Sequence, residues 1–467
     1  MKLFWEPSLK KRLKNYSLVI GISIVLVVLI GLLVGSMGFV GDLIAKPHLN
    51  RMREEAIQSM EGFRRQGGYQ KPVFFGEQAE GNAWEYYNRA IREIERASDE
   101  EWQNLELCSS KKNVDTTELF NLVSKYEPLL DDIRKGFEQK KCLIPLEYEM
   151  AQEMKIPNYM PLRRIAKFLV AHGYFEQREG RSHQAVRDYL NAIHLGQDIV
   201  GGDQTLIGHM IGVVCLGIGS DPIAEGLETF SFEKEDLSDI ARVLHLLSMT
   251  WPSIGEAFMN ESWRTTLLSE RIEEQIHHAI PEGNIIWQLK QNPLLEWEIS
   301  HLLSWSNLFS TRRALVEAIT LQHEFAREIT VVENQNLEEV NRVMEKWEKQ
   351  ARESHNLLAK IALPNFTSLV KRRMEGISKM RLRGVAALAQ LYFLQNNRYP
   401  ENLNEVGVQS ALGGEPLLMD PMTGSSWQYR VYAEGDSCEI YSHYREKLDR
   451  PEDISHIACI TLGPPRK

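Results

Sequence analysis

A run of 25 residues without a charged side chain, from Ser17 to Gly41, constrains this chain more than any other feature of its sequence. A helix needs about 20 apolar residues to cross the hydrocarbon core of a bilayer, whereas the core of a signal peptide needs only about 7–15. The run therefore predicts a retained transmembrane helix, a signal anchor, over residues 17–41. Cleavage is the alternative, because small residues surround Gly35. The sequence shows no second long apolar run, so we expect a single span.

The charges that flank this run predict which side of the membrane the chain occupies. Five basic residues precede it, and the three that follow within residues 42–55 are mixed with acidic ones. The more basic side of a transmembrane helix stays in the cytoplasm. We therefore expect a cytoplasmic basic tail over residues 1–16 and an extracytoplasmic remainder from residue 42 onward.

Overall composition limits the classes of partner that the chain can have. The 467 residues carry 54 basic and 64 acidic side chains, a formal net charge of −10, and 43% of them are hydrophobic. This balance is typical of a globular body. The acidic total argues against a nucleic-acid partner, since such proteins carry an excess of basic residues.

Helical periodicity dominates the sequence after the apolar run. Prolines mark the expected helix boundaries, because the proline ring interrupts a helix: Pro252, Pro281, Pro293 and Pro364. Strand-like sequence is almost absent before residue 414. We predict a mainly α fold, with a helical domain over residues 42–363. Over residues 364–467 we expect a long helix followed by a small antiparallel sheet, that is, an α+β module.

Part of the helical domain, about residues 162–200, resembles a tetratricopeptide hairpin. Its small and aromatic residues have the spacing of that motif: Gly173, Ala185, Tyr189 and Ala192. In such hairpins the small residues let two antiparallel helices approach, and the aromatic ring fills the gap. Half of the pattern recurs at Ala83, Tyr87 and Ala90, but the two intervening registers fail. The sequence therefore predicts one hairpin and no regular repeat array.

The helical domain also resembles a block found in uncharacterised, membrane-anchored bacterial proteins. The matching segments are residues 82–90, 191–195 and 206–210. This resemblance implies organisation and no particular reaction. Together with the flanking charges, it predicts a single-pass protein of the bacterial inner (cytoplasmic) membrane, with the bulk of the chain in the periplasm.

The C-terminal part of the chain contains a Tyr-Pro pair and an Asp-Pro turn with a glycine: Tyr399, Pro400, Asp420, Pro421 and Gly424. With these residues, the segment of about residues 380–462 resembles the globular head of type II secretion pseudopilins. In that family a long helix ends at a Tyr-Pro pair, and an Asp-Pro turn with a glycine starts the sheet. Each suits its place, because proline pushes the preceding residue out of the α region and Asp, Pro and Gly favour tight turns.

The chain departs from true pseudopilins at its N-terminal end. The anchor lacks their Gly-Phe cleavage pair followed by a glutamate, and more than 300 residues separate it from the head. We therefore expect a pilin-head-like module on a different carrier. A pseudopilin loop in this region can hold calcium. The acidic residues Asp449, Glu452 and Asp453 stand in place of that loop, but we favour a solvated loop because no spaced ligand pattern accompanies them.

The five cysteines leave two readings open. Cys438 and Cys459 are the favoured disulfide candidates, because both lie in strand-like segments of a chain expected to be exported. Cys108 with Cys142 is a weaker pair, and Cys215 lies in a small, apolar stretch typical of an inert buried thiol. Unpaired thiols are the alternative.

No motif of a nucleotide-binding loop, serine hydrolase or zinc protease occurs in the sequence. We therefore predict no catalytic, cofactor or metal site.

A basic run between Lys371 and Arg383 favours a solvated helix face, with anionic lipid or an acidic partner as the alternative. Arg381 falls on the apolar stripe of that helix, so we expect it to snorkel or to pair with a buried carboxylate.

These features support three functional hypotheses. The first is a membrane-anchored extracytoplasmic scaffold that binds protein partners in the cell envelope without catalysis of its own. The second is an accessory component of a type II secretion or pilus-like machine, as the pilin-head resemblance implies. The third is an envelope enzyme with an unrecognised site. The oligomeric state is not predicted.

Overall fold

The computed structural model describes residues 42–110, 116–145, 158–282, 311–354, 356, 367–406, 415–432, 436–442 and 459–463. The predicted anchor over residues 17–41 and the acidic loop at residues 449–453 lie outside these ranges, so both stay predictions. The described chain is mainly helical, as predicted. Its twelve helices, α1 to α12, are 42–65, Ala83–Ile94, Asp99–Ser110, Thr116–Glu138, Met160–Arg178, Ser182–Asp203, Leu206–Glu228, Lys234–Thr250, Ile254–Glu282, Thr311–Val332, Leu337–Glu353 and Thr367–Asn396.

Eight short strands accompany the helices in the described residues. In chain order, β1 to β8 are Tyr69–Gln70, Ala79–Asn82, Gln139–Cys142, Met419–Asp420, Ser425–Ser426, Gln428–Val431, Cys438–Tyr441 and Cys459–Leu462. The first three form a small sheet in the order β1-β3-β2, with one antiparallel and one parallel pair. The sequence does not predict this sheet, because its strands of two to four residues show no alternation of polar and apolar side chains.

The chain forms two compact units. The larger consists of residues 57–262, 322–349 and 363–467, and the smaller of residues 1–56, 263–321 and 350–362. The C-terminal module thus belongs to the same unit as most of the helical domain, and the predicted domain boundaries stay predictions. All the sites described below lie in the larger unit.

Helix α7 is the central helix of the larger unit. It is long and apolar enough to cross a bilayer by length and composition, which corrects the expectation that no second such segment exists. Within its most apolar window, 56% of the residues are buried in the fold. Its glycines explain this packing: Gly212 lies against Gly196 and Val200 of α6, and Gly219 lies against Ile193. We therefore interpret α7 as a core helix.

The C-terminal module is built on α12. This helix packs against α7 and α8 on one side and contacts the strands of the module on the other. Strands β6, β7 and β8 form an antiparallel meander, and β4 pairs with β5 as a separate two-stranded ladder. A long helix, a turn and a small antiparallel sheet are the elements predicted for this part of the chain.

Candidate functional site

The turn between β4 and β5 is organised by one buried carboxylate. Asp420 is 0% exposed, and its carboxylate accepts hydrogen bonds from the hydroxyl of Ser378 at 2.9 Å, the amide of Met422 at 3.0 Å and the hydroxyl of Thr423 at 3.0 Å. The hydroxyl of Ser442 donates a further bond. Ser378 belongs to α12 and Ser442 follows β7, so this Asp420 clamp joins the helix, the turn and the sheet.

The sequence around Asp420 favours this turn. The carbonyl of Asp420 accepts the amide of Gly424 at 2.8 Å, and Gly424 has a φ of +67°, which glycine adopts without strain. Pro421 fixes its own φ and so pre-orders the first corner. The predicted turn residues thus lie together, and Asp420 joins the turn to α12 through the clamp.

The Tyr-Pro pair lies at the far end of α12. Tyr399 is 1% exposed, its ring packs 4.7 Å from that of Phe393, and its hydroxyl donates to the carbonyl of Gly463 at 3.4 Å, just beyond β8. The carbonyl of Pro400 accepts a hydrogen bond from the hydroxyl of Tyr429 on β6 at 2.8 Å. Burial raises the pKa of both tyrosine hydroxyls, so they stay protonated donors. The pair therefore ends the helix and fastens it to the sheet.

A groove of about 550 Å³ opens between the Asp420 turn and the start of α11. Its polar rim includes Asn336, Glu338, Asn341 and Glu345, and its other wall includes Thr423. The amide of Leu337 donates to the carbonyl of Met422 at 3.1 Å, which holds the turn against the helix. The groove is lined by Met422 and Thr423, so it lies directly beside the turn.

The basic run of α12 is divided between the protein interior and its surface. Arg373 and Arg383 are 2% and 4% exposed. Arg373 donates to the carbonyl of Glu333 at 3.3 Å, and Arg383 donates to Asp221 on α7 at 3.3 Å. The favoured reading of a solvated face is therefore wrong for these two residues, because they cross-link helices inside the unit.

Arg381 shows a third behaviour within the same run. It is partly buried and donates to the carbonyl of Met419, directly before the clamp, at 3.4 Å. The Asp420 carboxylate is close enough to act on it electrostatically and opposes the lowering of the Arg381 pKa by burial. Arg381 therefore lies within the electrostatic reach of a buried carboxylate, as expected. Its hydrogen bond, however, goes to a backbone carbonyl and not to that carboxylate.

The predicted hairpin residues lie at the interface of α5 and α6. Ala185, Tyr189 and Ala192 are 0% exposed, and a Cβ added at Gly173 would lie 2.3 Å from the ring of Tyr189. The ring thus occupies the space above the glycine, as the sequence pattern predicts. The turn between the helices contains Gly180, whose φ is +75°.

The same packing recurs between α2 and α4. Tyr87 is 1% exposed, and a Cβ added at Gly136 would lie 2.4 Å from its ring. The sequence reveals Ala83, Tyr87 and Ala90 but not this glycine. In the α5–α6 hairpin the glycine precedes the tyrosine in the sequence, whereas between α2 and α4 it follows the tyrosine. A sequence pattern with one fixed order therefore does not include Gly136.

A buried ion pair lies between these two helix pairs. The Nζ of Lys71 lies 2.5 Å from the carboxylate of Asp198 on α6, and both side chains are 0% exposed. The hydroxyl of Tyr87 donates to the same carboxylate oxygen at 2.6 Å, and Nε2 of His194 lies 3.4 Å from the other oxygen. Lys71 also donates to the carbonyl of Gly136 at 3.2 Å. We call Lys71, Tyr87, His194 and Asp198 the Asp198 cluster.

Burial sets the protonation of this cluster. It raises the pKa of Asp198, and the positive charge of Lys71 opposes that rise. It lowers the pKa of His194, and Lys71 adds to that lowering, so the imidazole is neutral in the fold. Phe74 and Phe137 enclose the ring at 4.7 and 5.1 Å. The cluster is therefore one ion pair with the neutral hydroxyl of Tyr87 as a further donor, and it lies closed off from solvent beside the neutral ring of His194.

A second enclosed cluster fastens the α5–α6 hairpin. Nδ1 of His172 lies 2.5 Å from the carboxylate of Asp188, and its Nε2 lies 3.4 Å from Glu176. Burial raises the pKa of Asp188, and the hydrogen bond from His172 opposes that rise. The sequence does not predict either cluster. The signal that it contains is a set of polar residues at inward positions of α6, namely Asp188, His194 and Asp198.

The predicted disulfide between Cys438 and Cys459 is not formed. No two of the five cysteines are joined by a disulfide. In the register of β7 and β8, Cys438 pairs with Leu462 and Cys459 pairs with Tyr441. The two cysteines also lie on opposite faces, since Cys438 is buried and Cys459 is half-exposed and donates to Glu439. Two side chains that point to opposite faces of a sheet cannot be bridged.

Comparison with known proteins gives a partial likeness to a pilin. The chain is 28% identical over 105 residues to the type IV major pilin protein PilA of Myxococcus xanthus. The match covers 22% of this chain and 41% of the pilin, so the chain spans less than half the length of that relative. No family model matches the chain, and no solved structure matches it. The likeness makes a pilin-like part of the chain plausible.

Proposed function

We propose that this protein is a membrane-anchored component of the bacterial cell envelope. In this proposal it serves a pilus-like or type II secretion machine as an accessory, non-catalytic scaffold that presents a pilin-head-like module to protein partners. The Asp420 clamp is the observation that carries the proposal. This turn has the residues expected for the turn of a pilin-like head, and its carboxylate joins the helix to the sheet in a chain that has partial likeness to a pilin.

The surroundings of α12 favour an accessory role over that of a repeating subunit. Gly376 of α12 lies against Leu216 of α7, Gly384 lies near the backbone of Ala241 in α8, and Arg383 pairs with Asp221. The face of the helix opposite the sheet is therefore covered by the chain's own helices. A covered face cannot pack against neighbouring copies, whereas the groove beside the Asp420 turn stays open to a partner.

The burial of the two charged clusters supports a structural role for their side chains. General acids and bases act on a substrate only within hydrogen-bonding reach. The side chains of Lys71, Asp198 and Asp188 are 0% exposed, and that of His172 is 5% exposed. In the proposed scaffold these groups specify how the helices pack.

Co-purification of the full chain from gently solubilised membranes tests the proposal. The bait is the wild-type protein carrying a C-terminal affinity tag, with quantitative mass spectrometry of what it retains. The matched control is the variant Asn341→Arg, which places a long charged side chain in the groove and leaves every hydrogen bond to the Asp420 carboxylate in place. We expect pilus or secretion components to be enriched at least tenfold with the wild type and to be lost with the variant. Their absence from the wild-type sample would refute the proposal.

A further inference from the structure

One wall of the groove beside the Asp420 turn is a single face of α11. Glu338, Asn341, Arg342 and Glu345 line it. Their spacing of three, four and seven residues places them in one stripe along the helix. At a rise of about 1.5 Å per residue, this stripe extends along the helix for about 10 Å.

The charges on this wall are unevenly paired. Arg342 lies 2.9 Å from the carboxylate of Glu339, which neutralises it. Glu338 and Glu345 are both exposed, and neither forms a hydrogen bond or an ion pair with any residue that the structure describes. One uncompensated carboxylate therefore stands at each end of the stripe.

The opposite wall carries no charged side chain of its own and is held in place. It consists of Met422 and Thr423 at the turn. The carbonyl of Met422 accepts the amide of Leu337 at 3.1 Å, and the hydroxyl of Thr423 donates to Asp420 at 3.0 Å. The groove is therefore formed before any partner arrives, which lowers the ordering cost of binding.

The charge pattern selects the kind of partner that fits. The next cation along α11, Lys346, pairs with Glu328 of α10 and does not line the groove. A lysine or arginine of a partner would supply the charge that Glu338 and Glu345 lack. In an extended chain, residues three apart are about 10 Å apart, which equals the separation of the two glutamates along the helix.

We propose that this groove binds an extended basic segment of a protein partner. Two lysine or arginine side chains, three residues apart in that segment, pair with Glu338 and Glu345. Asn341 lies between the two glutamates in the stripe, and its side-chain amide supplies a donor and an acceptor for the backbone of the segment. The inference rests on the proposed function, which makes the groove a partner site, and it adds the chemistry of the partner.

Fluorescence anisotropy of the full chain with a labelled model peptide tests the pairing. The probe contains two lysines three residues apart between glycines and serines, and the comparison peptide has glutamate at both positions. The test variant is Glu338→Gln with Glu345→Gln. The matched control is Glu317→Gln with Glu324→Gln, because these two glutamates of α10 are also exposed and seven residues apart. Both double variants change the net charge equally.

We expect the lysine peptide to bind the wild type and the control variant equally, and to bind the test variant at least fivefold more weakly. Added salt should weaken the binding, because it screens exposed ion pairs. The charge-reversed variant Glu338→Lys with Glu345→Lys should bind the glutamate peptide instead, which shows that the groove is still folded.

Three results would overturn the inference. The first is equal affinity of the wild type and the test variant for the lysine peptide. The second is equal affinity of the wild type for both peptides. The third is no binding to the wild type, and sedimentation of the chain as a dimer would then indicate that a second copy fills the groove.

The outcome is separable from that of the proposed function. Co-purified pilus or secretion components without a preference for the lysine peptide would refute the basic segment and leave the proposed machine in place. A preference for the lysine peptide without such components would refute the machine and leave the chemistry of the groove.

Discussion

At the residue scale, buried carboxylates determine how this chain is tied together. Asp420 accepts hydrogen bonds from three separate segments of the C-terminal module, and Asp198 accepts from a lysine and a tyrosine that are distant in sequence. Burying a carboxylate costs desolvation free energy, and its hydrogen bonds and ion pairs offset that cost only when all its partners are present. Single substitutions at these positions should therefore have large effects.

Replacing the clamp carboxylate should destabilise the module. In the variant Asp420→Ala the hydroxyls of Ser378 and Thr423 lose their acceptor within the protein interior. We expect a loss of about 2–4 kcal/mol in the free energy of unfolding, since buried donors would be left unsatisfied. Denaturant titration followed by tryptophan fluorescence measures it. Asp436→Ala, at an exposed aspartate, is the control, and an equal loss there would contradict the account.

A methyl group at Gly173 should separate α5 from α6. Its Cβ would lie 2.3 Å from the ring of Tyr189, so we expect Gly173→Ala to cost about 1–3 kcal/mol. Gly217→Ala is the matched control, because a Cβ there meets nothing within 4 Å and alanine favours the helix by up to about 1 kcal/mol. Thermal unfolding of both variants checks the difference, and destabilisation by Gly217→Ala alone would reverse the interpretation.

Acid should weaken the fold through His194. Its pKa is lowered by burial and by Lys71, so the folded chain disfavours the imidazolium form that the unfolded chain accepts. The contribution of the neutral ring is complete above about pH 6.5, the ordinary histidine value, and is lost as the pH falls below it. The melting temperature of the wild type should therefore drop more between pH 7.5 and 5 than that of His194→Gln. Parallel curves would contradict this.

At the element scale, local patterns predicted the elements but not their partners. The Tyr399-Pro400 helix end and the Asp420 turn follow from steric rules that act within a few residues. The Lys71–Asp198 pair spans 127 residues, and the Tyr87–Gly136 contact spans the rest of α2, all of α3 and most of α4. One sequence carries no signal for contacts of this range, so both clusters could be found only in the structure.

The cysteine prediction failed for a related reason. Residues 438 and 459 lie in adjacent strands, as expected, but the strand register decides which side chains share a face, and register depends on a loop that sequence patterns do not describe. A shift by one residue would have exchanged the faces.

Thiol labelling of the native protein should distinguish these two cysteines. Burial raises the pKa of Cys438 to about 12, so its reactive thiolate is scarce, whereas Cys459 is half-exposed. We expect an alkylating reagent at pH 8 to modify Cys459 at least tenfold faster, as followed by peptide mass spectrometry. A Cys438–Cys459 disulfide found under non-reducing conditions would contradict the structure.

At the scale of the whole molecule, the C-terminal module and most of the helical domain are parts of one compact unit. The arginines at positions 373 and 383 join α12 to the rest of that unit. A pilin-head-like module fixed in this way can be presented to a partner in one orientation, which is what an accessory scaffold requires.

The proposed topology can be tested independently of any partner. We expect an alkaline phosphatase fused after residue 60 to be active, because the positive charges before the apolar run hold the N-terminus in the cytoplasm and place residue 42 onward outside it. A β-galactosidase fused at the same residue is the control. Activity of the control alone would refute this orientation.

The most direct test of the central claim is site-specific crosslinking from the groove beside the Asp420 clamp. A photo-reactive amino acid replaces Asn341 on the groove, and, as the control, Glu235 on an exposed turn of α8, in the full chain expressed in its own cells. The account predicts adducts with a pilus or secretion component at position 341 and none at position 235. Adducts with no such component, or equal adducts from both positions, would contradict it.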